Sequence, residues 1–124
     1  MEVPILKQGD YLIATVQSAL TDADLTGLRD AIVERVGRNR SRGVIIDVTA
    51  LDVLDSFASR TLSGIAHMTR LRGAETVIVG IQPDVAFAMV QMGLRLEGVA
   101  TTLDLEEGLA WLSRPREEGR GRGE

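Results

Sequence analysis

At 124 residues, with 44% hydrophobic and 26% charged side chains, the chain suits one domain with a core of its own. It has no cysteine, which excludes a disulfide framework, a thiolate metal site and a cysteine nucleophile. Its formal net charge of −4 argues against nucleic acid, where a clustered basic face is expected.

No apolar run reaches the roughly 20 residues of a membrane span. Met1-Glu2-Val3-Pro4 lacks the charged-then-apolar order of a signal segment. The expectation is a cytoplasmic protein with no membrane partner. Two apolar stretches, Val3 to Leu6 and Tyr11 to Val16, flank the turn signal Gln8-Gly9-Asp10 and predict a β-hairpin or two short strands. A helix follows, which Thr21 or Asp22 is placed to cap by accepting first-turn N–H groups. Leu25, Leu28, Ile32 and Val36 form its apolar stripe, with Asp30, Glu34 and Arg38 on the other side. The run from Gly37 to Gly43 ends it. Val44-Ile45-Ile46-Asp47-Val48 is continuously apolar until Asp47, the pattern of a strand buried on both faces.

A connection over 49–54 follows, with Leu51, Val53 and Leu54 expected to turn inward. The second helix begins near Ser56. Its expected inner face is Phe57, Thr61, Ile65 and Met68, and its outer face Arg60, Ser63, His67 and Arg70. Gly73 is placed as a left-handed stop, and Thr76 to Ile81 repeats the buried-strand pattern. Pro83 suits the first turn of a third helix, which runs to about Met92 with Gly93 as its end. Residues 98–103 read as a short edge strand. Asp104 caps a last helix, with Glu106 and Glu107 where the dipole favours them and Leu105, Leu109 and Leu112 as its buried side. The order ββαβαβαβα predicts an α/β fold: a mixed, mostly parallel sheet of four or five strands, about four helices and right-handed crossovers. One domain over 1–113 and a disordered, charged tail over 114–124 are expected.

Catalytic constellations are sparse. The one histidine, His67, has no cysteine or second histidine near it in sequence, so no metal site is expected. The thirteen glycines are spread over turns and the tail, and none forms a phosphate loop. Asp47 sits where ligands gather in α/β sheets, at the carboxyl end of a strand. A phospho-accepting aspartate of the receiver type would need further acids for Mg²⁺ and a lysine, and the single lysine, Lys7, stands at the start of the chain. The alternative for Asp47 is structural: hydrogen bonds to loop N–H groups around Thr49 to Asp52. Ser56, opening a helix behind Asp55, reads either as an ordinary N-cap or as an exposed phosphoacceptor at a helix N-terminus.

The string Gly43-Val44-Ile45-Ile46-Asp47-Val48-Thr49, a short apolar loop and then Asp55-Ser56 resembles the core of STAS domains, the anti-sigma-factor antagonists and their relatives. Phe57 stands where the antagonists usually carry a second serine. Asp55-Ser56-Phe57 is more similar to the stressosome branch, the small single-domain scaffolds of the RsbS type. Pro4-Ile5-Leu6-Lys7, Gly80-Ile81-Gln82-Pro83 with Val85 and Ala86, and Leu103-Asp104-Leu105-Glu106 with Gly108-Leu109 agree. The resemblance covers residues 3 to about 112.

It implies a non-enzyme without cofactors. Ser56 would be the phosphorylation site, with Asp55, Asp47 and Thr49 as its neighbours. The partners implied are an RsbT-type serine/threonine kinase, which the scaffold sequesters and then releases, RsbR-type STAS proteins in a large assembly, and a phosphatase that resets Ser56. A homodimer is expected in isolation. The alternative on the same fold is an anti-sigma-factor antagonist that binds an anti-sigma kinase and is inactivated at Ser56. Arg60, Ser63, His67 and Arg70 form the candidate kinase-facing surface.

Overall fold

The computed structural model describes residues 2–115. The opening hairpin is present: β1 (Ile5–Gln8) pairs antiparallel with β2 (Tyr11–Thr15). The chain then alternates through α1 (Asp22–Asn39), β3 (Gly43–Asp47), α2 (Ser56–Leu71), β4 (Glu75–Val79), α3 (Pro83–Gln91), β5 (Ala100–Thr102) and α4 (Leu105–Leu112). The five strands lie in the order β1-β2-β3-β4-β5, and all pairs after the first are parallel. This is the mixed α/β sheet with four helices that the sequence predicts. The expected tail begins at Arg114, which stacks over the Trp111 ring at 3.5 Å and pairs with Glu75 at 3.3 Å. Residues 116–124 of that tail lie outside the described residues.

Both faces of the sheet are covered, which is why its central strands are apolar without alternation. On one face Leu12, Val44, Ile46 and Ile78 pack under the α1 stripe of Leu25, Leu28, Ile32 and Val36, together with Leu62 and Ile65 of α2 and Val85 and Met89 of α3. On the other, Ile13, Ile45, Val77 and Val79 lie under α4 through Leu112, with Tyr11, Leu109 and Trp111 at the margin. Ile45 and Ile46 are fully buried on opposite faces, each stabilising the fold by about 1.5–3 kcal/mol. Two buried hydroxyls, Thr69 and Thr76, satisfy each other at 2.7 Å across the α2–β4 contact.

Helix ends follow local chemistry. Thr21 caps α1 in a capping box with Asp24, each side chain accepting from the other's backbone N–H. Asp104 caps α4 by accepting from the Glu107 N–H. Gly73 follows α2 at φ +89.

Two expected faces are corrected. The buried side of α2 is Ala58, Ser59, Leu62, Ile65, Ala66 and Thr69, so Phe57 and Thr61 are only partly buried and Met68 is 39% exposed. Small residues set the phase of this helix, because they allow close packing between α1, α2 and the sheet. Leu105 is likewise exposed, and Gly108 takes the buried place on α4, where a Cβ would lie 2.7 Å from Val79 Cγ1. Val53, expected inside, is 57% exposed. Among the described residues no helix is long and apolar enough to cross a membrane.

Candidate functional site

The site is built where β3 and β4 end and α2 begins. Asp47 closes β3, and its Oδ1 accepts from both the Thr49 N–H (2.9 Å) and the Thr49 hydroxyl (2.6 Å). This is the structural role weighed for Asp47: it ties down the first turn of the connection. The Val48 N–H donates to the Val79 carbonyl, which extends the β3–β4 pairing one step beyond the strand ends. The Gln82 amide donates to the Thr49 carbonyl from the loop after β4. Gly80, at φ +84, lies directly against Thr49, and a Cβ there would fall 2.0 Å from the Thr49 hydroxyl. Two loops, after β3 and after β4, are thus latched together through Asp47, Thr49, Gly80 and Gln82.

From this latch the chain runs over Leu51 and Leu54, both buried, to Asp55. Asp55 has extended backbone, and its side chain accepts from the Ala58 N–H at 2.8 Å. It is the N-cap, which corrects the reading of Ser56 as a cap. Both residue types serve as caps, and the extended φ and ψ of position 55 decide between them. Ser56 is therefore the first helical residue. It is exposed, and its hydroxyl makes no hydrogen bond among the described residues. No acidic residue lies in the first turn of α2. A phosphate on Ser56 would meet the positive end of the helix dipole and the unpaired first-turn N–H groups, with Asp55 as its anionic neighbour.

Of the four residues of the candidate kinase-facing surface, Arg60, His67 and Arg70 are exposed along one side of α2 and Ser63 is half-buried. Arg60 is exposed and unpaired. Ser63 is half-buried, with its hydroxyl shielded and unpartnered. His67 and Arg70 hold the loop before β5: the Arg70 guanidinium donates to the Gly98 carbonyl, and a Cβ on Gly98 would lie 3.0 Å from His67 Nε2. Among the described residues no group of three His, Asp or Glu side chains is placed to hold a metal ion. Sequence reasoning used Gly80 and Gln82 only for the family resemblance and gave them no part in the site. Their signal, a Gly followed two residues later by Gln-Pro after a buried strand, reads locally as an ordinary loop.

A family model described as the STAS domain matches residues 2–107. Among solved structures, a Ser-to-Glu variant of RsbS from Moorella thermoacetica is similar at 35% identity and a TM-score of 0.75, covering 89% of this chain and 93% of that one. A chain from a structure of the stressosome, described as a signal integration and transduction hub, is 36% identical at a TM-score of 0.71, covering 88% of this chain and 95% of that one. The anti-sigma factor antagonist SpoIIAA, at 13% identity and a TM-score of 0.66, shares the fold. Of curated proteins, the RsbT co-antagonist protein RsbRA of Bacillus subtilis (strain 168) is 28% identical over 98 residues, which are 79% of this chain and 34% of that protein. The chain thus spans about a third of that curated relative's length.

Proposed function

The chain belongs to the STAS domain family, and on that premise we propose that it is a non-catalytic scaffold of a stressosome-type assembly that holds an RsbT-type serine/threonine kinase and releases it when Ser56 is phosphorylated. The observation that carries this reading is the free Ser56 hydroxyl. Asp55 supplies the helix cap, so the serine is spare for modification on an exposed helix start. Similarity to RsbS over nearly the whole of both chains supports the scaffold role, and similarity to a B. subtilis co-antagonist of RsbT supports the kinase class. RsbR-type STAS proteins are the co-assembling partners in this reading, and a phosphatase acting on Ser56 resets the switch.

The Asp55 cap on the Ala58 N–H fixes the start of α2, so the acceptor is presented on a formed helix end. The test is a binding titration of the purified chain with an RsbT-type kinase in the absence of ATP. Expected is a complex formed equally by the unmodified chain and by Ser56→Ala, since the alanine keeps the Asp55 cap and adds no charge. Absence of a complex with either form would count against kinase sequestration.

A further inference from the structure

At the end of the sheet away from Ser56, α1 and α2 terminate side by side as β3 and β4 begin. Gly37, Arg40, Ser41, Arg42, Arg72 and Gly73 line an open cleft there of about 510 Å³. Three of the eight lining residues are arginines, with Val36 and Leu71 as the apolar part of the wall. Arg72 lies over Gly37, where a Cβ would come within 2.0 Å of its Nη2, so the missing side chain lets the guanidinium lie flat in the cleft. Arg40 is the C-cap of α1 at φ 52, and neither it nor Arg72 is in an ion pair among the described residues. Arg42 has one loose ion pair, with Asp10 at 3.9 Å on the exposed surface, which engages it weakly.

Ser41 sits among these cations. It is 4% exposed, and its hydroxyl is shielded from water and has no hydrogen-bond partner. Buried hydroxyls are ordinarily paired, but this one is closed to the cleft, so the cations alone are left to meet a ligand there. The carboxyl ends of two helices point this way, and each contributes only about half a negative charge. Three guanidinium groups exceed those two helix ends and the Asp10 carboxylate together, so the local surplus is about one positive charge although the chain as a whole carries −4. The opposite rim, with Asp47, Asp52, Asp55, Asp84 and Asp104, repels anions.

We propose that this cleft binds a phosphate-type oxyanion carried by a small soluble ligand. The forked guanidinium groups of Arg40 and Arg72 suit paired phosphate oxygens. The site is separate from the Ser56 switch: the 16 residues of α2 lie between them, about 24 Å at the helical rise.

The test is a thermal-melt titration of the full chain with inorganic phosphate and with pyrophosphate, against sodium chloride at matched ionic strength. Expected is a saturable rise in Tm with both probes and none with chloride. Amide shifts on phosphate addition should centre on Ser41 and Gly73. Arg40→Gly removes a cation and gives the left-handed position to the residue that adopts it freely, so the variant folds; binding should weaken about tenfold or more. Arg72→Gln should do the same. A rise equalled by chloride, a rise that does not saturate, or one unchanged in both arginine variants would overturn the site. A stronger effect of pyrophosphate than of phosphate would support a ligand that spans both guanidinium groups.

Discussion

Ser56→Glu is expected to melt no lower than the wild-type chain and yet lose its kinase partner. The fold should tolerate the charge because position 56 is the first residue of α2, exposed, with no other acid in that turn. A negative group there gains about 0.3–1 kcal/mol from the helix dipole. At a docked interface the balance reverses. The new carboxylate stands beside Asp55 and must lose water, and like charges brought together across an interface cost several kcal/mol. That is a weakening of about a hundredfold or more in Kd. A phosphate, with about −1.5 to −2 charges, should act more strongly still. Paired measurements of Tm and of kinase affinity check this. Unchanged affinity, or a lost affinity that tracks a lost fold, would contradict a charge switch at Ser56.

Gly80→Ala carries the largest expected effect on stability. Gly80 has φ +84, and its Cβ position lies 2.0 Å from the Thr49 hydroxyl oxygen and 3.1 Å from Thr49 Cβ. Holding a non-glycine residue at such a backbone angle costs about 1–3 kcal/mol, and displacing Thr49 from Asp47 adds the loss of two hydrogen bonds, about 0.5–1.5 kcal/mol each. Urea unfolding should register at least about 2 kcal/mol. The same substitution in a Thr49→Ala background should cost less, with a coupling of about 0.5–3 kcal/mol, because the colliding hydroxyl is gone. Strictly additive effects would mean that the two loops are not in contact in solution.

Strands β3 and β4 were legible because they are buried on both faces and so read as unbroken β-branched runs. The stripe of α1 was legible because large aliphatic residues mark it. The burying face of α2 was not, because Ala58, Ser59 and Ala66 carry little hydrophobic signal, while Phe57, at the margin of the core, and the exposed Met68 carry more. One residue of phase is about 100° on a helix, so the larger residues mislead.

At the site, Asp47, Asp55 and Ser56 were recognisable, and the Asp47–Thr49 bond was one of two readings open to Asp47. The division of labour between Asp55 and Ser56 was not, since two neighbouring residues both suit a cap and only backbone geometry separates them. The Thr49–Gly80 contact joins loops 31 positions apart, given by 80 minus 49 in the numbering, and no local pattern encodes it. The basic cleft escaped for the same reason: Arg40 and Arg42 looked like a helix stop, and Arg72 joins them only through the packing of α2 on α1.

The central claim is that Ser56 is the switch, and phosphosite mapping tests it most directly. The purified chain and Ser56→Ala are incubated with an RsbT-type kinase and ATP, digested and mapped by mass spectrometry, while kinase retention is followed in parallel. Expected is one phosphate on Ser56, absent from the alanine variant, with release of the kinase from the modified chain alone. Phosphate elsewhere with Ser56 untouched, or a kinase that stays bound to the Ser56-phosphorylated chain, would contradict it.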